Sequence, residues 1–178
     1  QSGCSSAVQL AMEEVANDVK TLFWTQGWSS ELTSAGTVNR YTFRWDSSNY
    51  AIAQSSVAGF MKLFPEAKTF FSITMDYAWG TDMFKEAEAV VEKLGGKMIG
   101  NVLTPMKESD YSGAITKALS AKPDVIMLNL YGAPLIKCAR AVAEFGAKER
   151  AKILIPADGL TMLRGIGSEA LQGMYVGS

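Results

Sequence analysis

The side chains able to do chemistry fall in five short loop-like stretches: Cys4-Ser5-Ser6, Gln26-Gly27-Trp28-Ser29-Ser30, Asp76-Tyr77-Ala78-Trp79-Gly80, Asn129 to Gly132, and Ala157-Asp158-Gly159. They combine small hydrogen-bond donors, large aromatic rings and an acid at Asp158. Ser5 and Ser6, at an expected helix start, can offer hydroxyls and unpaired backbone N–H groups to a carboxylate, which also suits the positive end of a helix dipole. Plain N-capping uses the same residues. Trp28, Trp79 and Tyr131 each follow an expected strand, where a ring can wall a pocket, face a cation or simply pack in a core. Asp158 can accept from a ligand ammonium or serve as a turn residue before Gly159.

Other chemistries are poorly provided for. The chain has 0 histidines, which removes the commonest general base and the commonest zinc ligand together. Cys4 and Cys138 lie far apart and form no CxxC pair, so neither a zinc site nor a redox motif is signalled. Seventeen Lys plus Arg balance 18 Asp plus Glu for a net charge of -1, with no basic run, so nucleic acid is not an expected partner. Gly165-Ile166-Gly167-Ser168-Glu169-Ala170 fits a GxGxxA string, but no strand leads directly into it, and dinucleotide binding is not expected. Cys138 sits in an apolar helical run and reads as a buried, unreactive thiol.

The elements that must position these loops follow from periodicity. A 48% hydrophobic, 20% charged chain of 178 residues can bury a core of its own. No apolar run approaches the roughly 20 residues that cross a bilayer, and Gln1 to Leu10 lacks the order of a secretion signal. The clearest unit is the strand Thr69–Met75, the loop 76–80, and a helix whose Met83, Phe84, Ala87, Val90, Val91 and Leu94 share a face before Gly95-Gly96 ends it. Strands are expected at Thr21–Thr25, Lys97–Leu103, Val125–Leu130, Lys152–Ile155 and Met174–Val176. Helices are expected at Ser5–Val19, Tyr50–Phe64, Tyr111–Leu119 (capped by Ser109 or Asp110) and Pro134–Phe145. Such alternation predicts an α/β fold with a largely parallel sheet flanked by helices, whose ligands gather at the carboxyl ends of the strands. Arg40 to Arg44 reads as an extended connector between two lobes.

Ordered along the chain, Gly3-Cys4-Ser5-Ser6, Ser30-Glu31-Leu32-Thr33, Tyr41-Thr42-Phe43-Arg44, Asp76-Tyr77-Ala78-Trp79-Gly80, Ser109-Asp110-Tyr111-Ser112, Lys122-Pro123-Asp124-Val125 and Ala157-Asp158-Gly159 resemble the leucine/isoleucine/valine-binding proteins. These are type I periplasmic solute-binding proteins, the extracellular ligand-binding receptor family. The resemblance implies a clamshell of two Rossmann-like lobes. Residues 1–42 would belong to a first lobe that is incomplete here, and residues 43–178 would form the second. It implies that Ser5 binds the ligand carboxylate, that Gln26 and Trp28 face it from the first lobe, and that Trp79, Tyr131 and Asp158 close from the second, Asp158 as the ammonium partner; Ser6 and Gly27, in the same loops, are further candidate contacts. Cys4 matches a cysteine that pairs with an upstream one in leucine-binding relatives, so it is expected to be unpaired here.

Two departures bear on the ligand. Gln26 and Trp28 stand where the amino acid receptors carry a small residue and a threonine, and Trp79 stands where a tyrosine is common. A tryptophan in place of threonine fills a side chain's space and removes a hydroxyl, which favours a flat, aromatic or otherwise different ligand over plain leucine. By the resemblance, the protein is a periplasmic, non-enzymatic receptor that binds an amino acid or a related amide or carboxylate and delivers it to the membrane permease of an ABC importer. No cofactor or metal is implied. A ligand-controlled sensor with the same clamshell is the alternative, and an enzyme on this fold lacks a phosphate loop and a nucleophile elbow.

Overall fold

A computed structural model describes residues 5–33, 39–157 and 159–177; Cys4 and Asp158 lie outside the described residues. In chain order the elements are α1 (Ser6–Asp18), β1 (Phe23–Thr25), a 3-10 turn (Ser30–Thr33), β2 (Thr42–Arg44), α2 (Asn49–Ile52), a π-helical turn (Ala53–Val57), α3 (Ala58–Leu63), β3 (Thr69–Met75) and α4 (Ala78–Lys93). There follow β4 (Lys97–Thr104), α5 (Ser112–Ser120), β5 (Val125–Asn129), α6 (Ala133–Glu144), a 3-10 turn (Ala147–Glu149), β6 (Lys152–Ile155), α7 (Leu160–Ile166), α8 (Ser168–Leu171) and β7 (Met174–Val176).

Five strands form one sheet in the order β4-β3-β5-β6-β7, and every neighbouring pair is parallel. Parallel neighbours require long crossovers, which the helices supply. Along β3, Phe71, Ile73 and Met75 pack with Ile126 and Leu128 against α5, α6 and α7. Phe70, Val125 and Met127 pack on the other side against α3, α4 and the π turn. Burial on both faces explains why β3 and β5 read as continuous apolar runs. A second, two-stranded sheet pairs β1 with β2 in parallel, and its register places Trp24 opposite Phe43, with ring centroids 5.3 Å apart.

Several sequence expectations are corrected. The helix expected at Tyr50–Phe64 is broken by the π turn, where the Ser55 and Ser56 hydroxyls donate to the Ile52 carbonyl at 3.1 and 2.6 Å and compete with the regular ladder. Arg40 to Arg44, expected to be extended, contains the strand Thr42–Arg44, which pairs with β1. α5 begins at Ser112, with Tyr111 at its cap position; Asp110 instead accepts the Ser112 N–H at 2.9 Å. Leu94 is exposed although its periodicity matches the buried face, because it lies past the last turn of α4. Gly95, at φ +78°, makes the expected left-handed stop. Cys138 is fully buried in α6, and burial pushes its thiol pKa up, which suits an inert packing role.

Candidate functional site at the carboxyl edge of the sheet

The loop after β1 is built from inside. Gln9 of α1 is fully buried, and its Oε1 accepts from the Gly27 N–H at 2.9 Å and from the Thr25 hydroxyl. Gly27 also donates to Thr25 Oγ1 at 3.1 Å, and a Cβ here would overlap the Leu32 side chain. Gly27 thus shapes the loop, and its N–H is already engaged within the protein. This conformation leaves Gln26 and Trp28, on either side of it, half-buried.

A buried polar cluster then fastens this loop to the larger sheet. Asp82 of α4, 6% exposed, accepts from the Ser30 N–H and from Asn49 Nδ2, both at 2.7 Å. Asn49 also donates its backbone N–H to the Trp28 carbonyl at 2.6 Å and its Nδ2 to the Trp79 carbonyl at 3.1 Å. Asn49 and Asp82 therefore hold the backbones of both tryptophan-bearing segments. Arg44 lies beside the cluster, donating to the Ser30 carbonyl at 3.4 Å; burial lowers its pKa, while Asp82, Glu13 and Asp46 raise it.

On the other side, the β3–α4 turn brings Trp79 into the first turn of α4. Gly80 follows it because the helix start passes so close to β3 that a Cβ would overlap the Met75 carbonyl oxygen. Tyr131 leaves β5 just before Gly132, whose φ of +68° makes the turn into α6. Below these loops Ser72, Thr74, Asn101 and Asn129 form a hydrogen-bonded row across β4, β3 and β5, with distances of 2.7 to 3.0 Å.

These segments converge on a cavity of about 220 Å³, lined by Ser6, Gln26, Trp28, Asp46, Tyr77, Trp79 and Tyr131. Ser6, Gln26 and Trp28 come from the α1–β1 region, and Tyr77, Trp79 and Tyr131 from the large sheet. The rings touch in series: Trp28 to Tyr131 at 5.3 Å and 86°, Tyr131 to Trp79 at 5.9 Å and 62°, Trp79 to Tyr77 at 6.2 Å and 32°. Burial, reinforced by Tyr131, pushes the Tyr77 pKa up to about 12, so it stays a neutral phenol at physiological pH. The Trp79 indole N–H is buried without a hydrogen-bond partner.

Of the residues singled out from the sequence, Ser6, Gln26, Trp28, Trp79 and Tyr131 are brought together here. Ser5 is adjacent, at the N-cap of α1, where its side chain makes no capping hydrogen bond. Gly27 is not among the lining residues, and Asp158 lies outside the described residues. Two lining residues escaped the sequence reading. Tyr77 was within an identified loop, and its position two residues before Trp79 was the available signal. Asp46 follows β2, and its Oδ2 accepts the Trp28 indole N–H at 3.2 Å, a pairing across 18 positions that no local pattern announces. Among the described residues no group of three or more acids and cysteines is placed to hold a metal ion.

A parallel α/β sheet with an aromatic cavity at its carboxyl edge, closed by loops from a second small sheet, defines a binding domain of the doubly wound class. The periplasmic binding protein family profile matches residues 2–178, and the chain belongs to that family. An amino acid ABC transporter substrate-binding protein from Pseudomonas fluorescens Pf-5 is 32% identical, with a TM-score of 0.88 over 98% of this chain and 47% of its own. A periplasmic binding protein from Burkholderia mallei is 29% identical, with a TM-score of 0.90 over 97% of this chain and 45% of its own. A solute-binding protein of an R. palustris ABC transporter, solved with benzoate, shares the fold at 16% identity and a TM-score of 0.79, over 93% of this chain and 45% of its own. The chain thus spans about half the length of the solved structures it matches. No curated protein matches it.

Proposed function

We propose that this chain is part of a two-lobed periplasmic receptor that captures a small solute, an amino acid or a related amide or carboxylate, for an ABC importer. The observation that carries the reading is the convergence of Ser6, Gln26 and Trp28 with Tyr77, Trp79 and Tyr131 around one cavity. With residues 1–42 in one lobe and 43–178 in the other, a ligand there would touch both. Closure around it would then be driven by contacts made only in the closed state, and the closed form is what the membrane permease would recognise. For an amino acid ligand, the α1 start, with Ser5 and Ser6, takes the carboxylate, Asp158 is the family-like partner of the ammonium, and the rings line the space between. No catalytic step is required.

Mass spectrometry of solutes that copurify with the protein, followed by thermal shift against amino acids, amides and aromatic acids, tests the reading. A ligand that binds the folded form alone raises the melting temperature. Trp28→Ala and Asp158→Ala are expected to weaken the best ligand; unchanged affinity in both would overturn the site assignment.

A further inference from the structure

The cavity's walls constrain the ligand's shape and charge beyond the receptor reading, on which this inference rests. A planar ring sandwiched between two others needs two near-parallel faces about 7 Å apart, twice the ordinary carbon contact distance. The rings here are arranged otherwise. Trp28 and Tyr131 stand at 86°, Tyr131 and Trp79 at 62°. Tyr77 and Trp79, at 32°, are already in contact with each other at 6.2 Å and leave no slot for a third ring. Walls that meet at steep angles enclose a rounded group.

The charge around the cavity has one sign. Among the described residues, Asp46 is the sole carboxylate that lines the cavity, and neither Lys nor Arg does. Arg44 is not among the lining residues; it donates to the Ser30 and Ser47 carbonyls, and the nearby Asp82, Glu13 and Asp46 favour its charged form. The Trp28 N–H bond to Asp46 at 3.2 Å also fixes the indole relative to the acid. Aromatic faces carry negative electrostatic potential, and with a carboxylate beside them they attract a weakly hydrated cation.

We propose that the cavity selects a ligand with a compact cationic head, a methylated ammonium above all, seated against Trp28, Trp79 and Tyr131 with Asp46 beside it. A carboxylate at the ligand's other end would reach the start of α1. A purely anionic aromatic acid would meet Asp46 with no lining cation to balance it.

Calorimetric titration of the full chain with glycine betaine and with 3,3-dimethylbutanoate, its uncharged-head isostere, separates charge from shape. Betaine is expected to bind about tenfold more tightly. Asp46→Asn, at an exposed position that does not threaten folding, should narrow that ratio to about threefold. Trp28→Leu should abolish it. If the isostere binds as well as betaine, or if leucine or benzoate binds and betaine does not, the cationic inference is wrong and the receptor reading stands. If no amino acid, amide, aromatic acid or betaine binds, both fall.

Discussion

The two ends of the large sheet carry depressions of opposite character. At the amino end a recess of about 460 Å³ is lined largely by charged residues, several of which are engaged within the protein. Asp124 Oδ2 accepts from the Lys68 N–H, the Thr69 N–H and the Thr69 hydroxyl, each at 2.8 Å. Lys148 donates to the Ala170 and Gln172 carbonyls at 3.1 and 2.9 Å, and Lys152 lies 3.8 Å from Glu66 and 4.4 Å above the Phe64 ring. At the carboxyl end the recess is smaller and largely aromatic, and in its wall the Trp79 indole N–H is buried without a hydrogen-bond partner. Buried polar atoms are normally paired, so an unpaired donor in a cavity wall marks capacity held open. Size does not locate a binding site; uncommitted polar groups beside aromatic surface do.

The contrast can be broken most severely at Asp82. Asp82→Ala would leave the Ser30 N–H and Asn49 Nδ2 buried and unpaired, and a loss of about 3 kcal/mol in urea unfolding is expected, together with loss of ligand binding. Gly80→Ala comes next. Its new Cβ must displace the start of α4 from β3, at a cost of about 2 kcal/mol, and Trp79 should shift with it, weakening ligand affinity in calorimetry.

At the amino end effects should be milder and confined to stability. Asp124→Ala is expected to cost about 1 kcal/mol, since its three hydrogen bonds lie at an exposed position where water competes. Binding should be unaffected. Those N–H and hydroxyl donors hold the Asp124 pKa below its ordinary 3.8. A depressed folded value means that its stabilisation is complete above the unfolded pKa and fades as pH falls through the folded one. Asp124→Asn should therefore flatten the stability profile below about pH 4, measured by urea midpoints. The smallest change is expected at Lys122, whose φ is +51°. Lys122→Gly relieves a left-handed backbone while loosening the unfolded chain, and these opposing effects should leave the urea midpoint changed by less than about 1 kcal/mol in stability.

How much of this was legible in the sequence differs between these regions. β3 and β6 have the limits that periodicity predicts, because runs buried on both faces carry a strong local signal. Trp28, Trp79 and Tyr131 were identifiable as candidates because each follows a strand, and the carboxyl ends of parallel strands converge. Their steep mutual angles were not readable, since ring orientation depends on neighbours from other elements. Asp46 and Asp82 were missed for the same reason: the first acts on a residue 18 positions away, the second on residues 33 and 52 positions away. Gly27 read as a ligand contact by its place in a loop, but the buried Gln9 takes up its N–H.

Most strands and helices and the loops in which a site had to lie are legible locally in the sequence, because hydrophobic period and turn chemistry act over a few neighbouring residues, and the ordered motifs carry the family resemblance. Only the tertiary structure decided which polar groups are consumed within the protein and which rings meet at right angles beside an acid. Those outcomes depend on contacts between segments tens of residues apart, and no local pattern encodes them.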